Sequence, residues 1–431
     1  MFMRLAGIAF LLLIVLPLTS TAQTLPLSQP ALSFPTGVTF FPLTGTISTT
    51  FVEGQTNLTY LHIGESYNSG QPFTYGNASL QLNAMLNGSF WAQDVMLFHQ
   101  TSNDTFTVTL VINFWNLTGP FTALHSNTTT FRNLGVYCYQ GPTFNVTLPV
   151  SLALFMNSSG GLSFGYSLNG DRKVFLTLPF SGQFRLGGLS IAGLPNDLEL
   201  VWGGPGGGSV VDMSAVGFAE LYFLNATKLN IVPSALSVGL DTAESAYGVV
   251  VTPDLQDIKL PFALINRGVN SPSVLWPVPP TISTVQRNTT VKVTLKYGNY
   301  TFSNQEVEIL VPHGLGLKEE YVGLTNSSGE VTFFNVTQPL YVVYFPGNYS
   351  LSESYAVSSP QLNKLISSVS SEFRSLVDFL KSYNFSKALS SDFQHVKYKQ
   401  PKTETNYLLL EVIAGFSIGL IASAVFIRRS S

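Results

Sequence analysis

The chain has 431 residues, of which only 10% are charged and 13% are aromatic, with a formal net charge of -3 at neutral pH. An average soluble protein carries about 25% charged residues, so this one builds its surface from Gly, Ser, Thr and Asn in place of ions. No cluster of Lys and Arg marks the region between its two apolar ends, which argues against nucleic acid as a partner, and the single Cys138 excludes an intrachain disulfide.

In chain order, Arg4 precedes an apolar run from Leu5 to Leu16 and then small residues ending at Ala22. This three-part shape predicts a secretory signal peptide over residues 1–22, cleaved after Ala22. Residues 23–268 carry short β-branched and aromatic runs such as SLQLNAML, TFTVTLVINFW and KVFLTLPF, bounded by Gly, Asn or Pro. Their local period of two predicts a large all-β, sandwich-like catalytic domain. No helix-length amphipathic pattern interrupts them, which excludes the alternating order of a parallel α/β fold.

A Pro-rich linker is expected over residues 269–280, followed by a small immunoglobulin-like β-sandwich over 281–356, with TNSSGE at 325–330 as a hairpin turn. Leu362, Leu365, Val369, Phe373, Leu376 and Leu380 then recur at helical spacing, so residues 357–405 read as a helical stalk and polar linker. Tyr407 to Ile427 is apolar and long enough to cross a bilayer, which predicts a single C-terminal transmembrane helix over 406–428. Arg428 and Arg429 keep the tail, 429–431, in the cytoplasm and the ectodomain outside, at the cell surface.

About fifteen N-x-S/T sequons predict a glycoprotein: Asn57, Asn77, Asn87, Asn103, Asn116, Asn127, Asn145, Asn157, Asn225, Asn288, Asn299, Asn326, Asn335, Asn348 and Asn384. Glycans would supply hydration that the missing charges do not. A surface so poor in ions also suits an acidic medium, where carboxylates lose their charge.

The five histidines are scattered, and neither H-E-x-x-H nor G-x-S-x-G occurs, which removes zinc and serine chemistry. The GGPGGG stretch at 203–208 lacks the Lys-Ser/Thr of a phosphate loop and reads as a hairpin tip or a flap over a cleft. Carboxylates remain. In FWAQDVMLF, alternation puts Asp94 on the face opposite Trp91 and Gln93, and in NDLELVWGG it turns Glu199 away from Leu198, Leu200 and Trp202. A carboxylate in the middle of an apolar strand must be partnered, protonated or facing a cleft. In GLDTAESAY, Asp241 and Glu244 have the spacing of a capping box at a helix start.

WAQDV at 91–95, FWNLTG at 114–119, ELVWGG at 199–204 and DTAESAY at 241–247, in this order and spacing, resemble the thermopsin family over roughly residues 30–265. The resemblance implies an acid endopeptidase of a thermoacidophilic archaeon, hydrolysing protein substrates at low pH and high temperature without metal or cofactor. It assigns no catalytic residues, so they follow from chemistry. Acid proteolysis needs one ionised carboxyl to take a proton from water and a second, protonated one to polarise the scissile carbonyl. The motif acids are Asp94, Asp197, Glu199, Asp241 and Glu244, with Asp94 and Glu199 the leading pair. Gln93 replaces Asp94 in a Gln and Glu pair of the kind eqolisins use.

Trp91, Trp202, Gly203 and Gly204 flank these acids as candidate substrate-binding positions. The expected partners are polypeptide substrates, the membrane, and envelope or surface-layer proteins. A reading of another class is a catalytically silent thermopsin-like surface glycoprotein serving adhesion or envelope assembly.

Overall fold

The computed structural model describes residues 33–358 apart from Thr44, Asp257, Asn270 and Leu315. All regular structure among them is β, as the period-two runs predict. The expected signal peptide, stalk and membrane-spanning helix lie outside the described residues, among which no helix is long and apolar enough to cross a membrane.

The chain divides into two compact units. Of the described residues, the larger unit holds 33–253 and 262–275, and the smaller holds 254–261 and 276–358. Residues 254–261 thus leave the larger unit before 262–275 return to it, where Ser237 N donates to the Ser273 carbonyl at 3.0 Å. In the smaller unit, two four-stranded sheets enclose a core that includes Val291, Val293, Val307, Ile309 and Val343. The TNSSGE segment is not a hairpin there. It joins Gly316–Leu324 of one sheet to Glu330–Phe333 of the other, and Asn326 Oδ1 accepts the amides of Ser328 and Glu330 to shape the arch.

The larger unit stacks an eleven-stranded sheet on a ten-stranded sheet. Alternation gives each strand an apolar row for the space between them: Leu80 and Leu82, Met96 and Phe98, Leu200 and Trp202 from the first sheet meet Leu154, Met156 and Leu221 from the second, all nearly inaccessible. Phe40 stacks across the gap on Phe223, with ring centroids 6.2 Å apart. Gly54 is a glycine for close approach, since a Cβ there would lie 2.8 Å from the Leu200 side chain of the facing sheet.

The GGPGGG stretch also proves to be something other than a hairpin tip. Strand Leu198–Gly203 lies in the eleven-stranded sheet and strand Val210–Asn225 in the ten-stranded one, so the glycines carry the chain between layers. Gly203 to Gly207 are buried, and Gly207 and Gly208 take the left-handed backbone that favours glycine, with φ of 68° and 69°.

Candidate active site

The outer face of the eleven-stranded sheet carries a polar row that register creates. Thr39 pairs with Glu199, Glu199 with Asn83, Asn83 with Gln93, Gln93 with Asn113, and Asn113 with Cys138. Residues directly opposite in adjacent strands share a face, so these side chains stand side by side on five neighbouring strands. Beside them, Met85, Trp91, Trp115 and Val136 form an apolar cluster that Leu194 covers, and the row is shut off from solvent.

Most of the amides satisfy one another in a single direction. Asn113 Nδ2 donates to Gln93 Oε1 at 2.7 Å, Gln93 Nε2 to Gln81 Oε1 at 2.6 Å, and Gln81 Nε2 to Ser79 Oγ at 2.7 Å. Ser79 Oγ in turn donates to the Gly204 carbonyl at 2.7 Å, which ties the ladder to the glycine-rich crossing. Cys138 Sγ closes the other end on Asn113 Oδ1, and burial pushes its thiol up to about 12.

Against this row the segment Gly239–Glu244 brings its own acids. The carboxylates of Asp197, Glu199 and Asp241 offer oxygens that all lie within 4.8 Å of one another. Glu199 receives donors on both oxygens: Asn83 Nδ2 at 2.6 Å and the Thr242 hydroxyl on Oε1, and Leu240 N at 2.8 Å on Oε2. A side chain on Gly239 would obstruct this, since its Cβ would sit 2.5 Å from Glu199 Oε2. Trp91 Nε1 donates to Asp241 Oδ2 at 2.6 Å, while Asp241 Oδ1 is buried. Neither oxygen of Asp197 has a hydrogen bond from an N–H or hydroxyl group, and its surroundings are the other two carboxyls.

Three acids so placed cannot all be ionised. Burial, then the charge of Glu199, raises the pKa of Asp197 well above the ordinary carboxyl range. Asp241 is raised as well, by burial and then by the charges of Asp197 and Glu199, with the Trp91 N–H opposing. The cluster is therefore a shared-proton site in acid, and the pair titrates as a unit. Deprotonated, its three oxygens could also hold a hard divalent cation, although three ligands are fewer than the six or more such ions take.

The structure brings together Glu199 and Asp241 of the residues singled out from sequence, with Gln93 in the row beside them. It does not bring Asp94 to Glu199. Asp94 pairs laterally with Leu82 and Ile112, and Leu82 pairs with Leu200, which puts it on the inner face of the same sheet. There it is inaccessible to solvent, and burial raises its pKa well above the ordinary range, with the backbone amides of Gly165 and Val95 opposing. The leading pair is thus split by the pleat, with one sheet between its members.

Trp202 is likewise an inner-face residue, its ring 5.2 Å from that of Phe98, whereas Trp91 stands at the carboxyl cluster. Gly203 and Gly204 are buried, and a Cβ on Gly203 would lie 2.6 Å from the Glu244 Cβ. No helix starts at Asp241: residues 241–244 are irregular and lead into strand Ser245–Tyr247, so tertiary hydrogen bonds replace the capping box. Among the sequons, Asn116 is 9% exposed and its amide donates to the Pro120 carbonyl, while Asn384 lies outside the described residues.

Asp197 is the member that the sequence-derived pair leaves out. Its signal was parity, since it stands two positions before Glu199 and shares its side. Asn83 and Thr242 had none, because Asn83 meets Glu199 from 116 residues away.

A groove encloses about 220 Å³ next to the cluster. Val95, Leu97 and Val111 form its apolar floor, Gln81, Gln93 and Asn113 a wall, and Pro205, Gly206 and Glu244 the side formed by the glycine-rich crossing and the 239–244 segment. Gln81 Oε1 connects groove and cluster, accepting from the Thr242 hydroxyl at 3.4 Å.

The thermopsin family model matches residues 20–249 of the chain. A thermopsin from Sulfolobus acidocaldarius is 28% identical over 250 residues, covering 48% of this chain and 70% of that protein.

Proposed function

The chain belongs to the thermopsin family, a family of acid proteases, and from this premise we propose that it is a cell-surface acid endopeptidase that hydrolyses peptide bonds with carboxyl-activated water. The observation that carries the reading is the cluster of Asp197, Glu199 and Asp241, whose oxygens lie within 4.8 Å of one another. Glu199, with donors on both oxygens, is arranged to act as the carboxylate, and Asp197 and Asp241 are arranged to retain a proton.

In acid, the carboxylate takes a proton from water as the water oxygen bonds to the scissile carbonyl carbon. A protonated neighbour gives its proton to the carbonyl oxygen, and the resulting diol collapses with a proton passing to the amine as the C–N bond breaks. At neutral pH the cluster loses the proton this sequence needs. Location at the cell surface is supported by the apolar span Tyr407 to Ile427 and the basic pair after it.

The test uses the full chain in detergent micelles with a denatured protein substrate. Cleavage is expected at about pH 3, below the ordinary carboxyl pKa of about 4, in the presence of a chelator, and not at pH 7. Glu199→Gln and Asp241→Asn are each expected to lower kcat by at least about 100-fold, the usual scale for an acid or base, with the fold retained. A folded wild-type chain that cleaves nothing at acid pH would support the silent surface glycoprotein instead.

A further inference from the structure

Of the acids on the outer face, Glu244 alone lines the groove, and it is the single ionisable group among the groove's lining residues. It is 2% exposed. Its Oε1 accepts the Gly208 amide of the glycine-rich crossing at 3.2 Å, while its Oε2 is buried with no hydrogen-bond partner. A buried carboxyl oxygen left unmatched is costly unless it carries a proton or meets a ligand.

The surroundings keep space for this side chain and give it no counter-charge. Gly203 has no Cβ at the point where one would strike Glu244. The groups that face the carboxyl are the Gly208 amide, the Gln81 amide and, at longer range, Glu199, which is an acid. Gln93, Asn113 and Ser79 already give hydrogen bonds to one another along the ladder or to Gly204, so the wall is neutral at every pH. A proton on Glu244 therefore has one open destination, the interior of the groove. Burial holds that proton on the carboxyl in acid.

We propose that the groove under the glycine-rich crossing seats the peptide on one side of the scissile bond, and that Glu244 is a further catalytic residue that donates a proton to the substrate there. This rests on the acid-peptidase reading and adds a substrate-facing acid to it. The Asp197, Glu199 and Asp241 cluster takes the proton from attacking water, and the bond from water oxygen to carbonyl carbon forms. The Glu244 proton passes to the leaving nitrogen as the C–N bond breaks, and the proton taken from water returns to Glu244 through solvent. Charge and atoms balance with water as the one co-reactant.

Glu244→Gln separates this role from a merely structural latch, because the Gln carbonyl still accepts from Gly208 while its amide cannot act as an acid. The expected result in the full chain is a fall in kcat of about 100-fold or more, KM within about threefold, an unchanged thermal midpoint and loss of the high-pH limb of the rate profile. Glu244→Gln with wild-type kcat beside an inactive Glu244→Ala would make Glu244 a latch and overturn the proposal. Failure of the underlying reading looks different, since the wild-type chain would then be inactive in acid, or Glu199→Gln and Asp241→Asn would leave kcat unchanged.

Discussion

Asp94→Asn isolates the energetic consequence of an acid placed in the inner core. The Asp94 carboxyl is inaccessible to solvent, and burial raises its folded pKa above the unfolded value of about 3.9. A group raised in this way gives its full stabilisation below the unfolded pKa. As pH increases beyond about 4, the unfolded chain releases the proton that the folded one keeps, and stability falls by about 1.4 kcal/mol per pH unit until the folded pKa is reached. Between pH 4 and 7 the loss from this one group is at most about 4 kcal/mol, a large share of a typical total of about 5 to 15.

Asparagine has nearly the same shape and cannot ionise. The variant should match wild type within about 1 kcal/mol at pH 3, the scale of one altered hydrogen bond, and exceed it increasingly toward pH 7. Guanidinium unfolding at pH 3, 5 and 7 measures this through intrinsic fluorescence, since Trp91, Trp115 and Trp202 all lie in the larger unit. Parallel stability curves for the two proteins across that range would refute the reasoning. So would loss of acid cleavage by a folded Asp94→Asn chain, because the inner face has no access to the carboxyl cluster on the outer one.

Other consequences concern the outer face. Trp91→Phe keeps the ring and removes the N–H donated to Asp241, which favours the ionised form; the acidic limb of the kcat/KM profile should move to higher pH, and an unmoved limb would detach Asp241 from the rate. Gly203→Ala places a Cβ 2.6 Å from that of Glu244, an overpacking that should cost about 1 to 3 kcal/mol in chemical unfolding and reduce cleavage through displacement of Glu244. Full activity and stability in that variant would show that the crossing can yield.

Much of the architecture was legible because it depends on local pattern. Period-two runs gave an all-β chain, and alternation within FWAQDVMLF and NDLELVWGG correctly set Asp94 apart from Gln93 and Glu199 apart from Leu200. Alternation says which residues of one strand share a side, but it does not say which side of one strand meets which side of the next. That was the error in pairing Asp94 with Glu199. The glycine-rich stretch and TNSSGE failed for a related reason, since a turn's composition reports that the chain bends and not whether it returns to the same sheet.

The sequence by itself determined the class of fold, the shortage of charge that suits acid, the family motifs and the set of acids from which a site could be built. The tertiary structure alone decided that Asp197, Glu199 and Asp241 meet and that Asn83 and Thr242 hold Glu199 in place. It also decided that Asp94 is a core acid and that Glu244 faces the groove. The physical reason is register. Hydrogen bonds between strands far apart in sequence fix which side chains become neighbours, and a shift of one residue would exchange the two faces of the sheet.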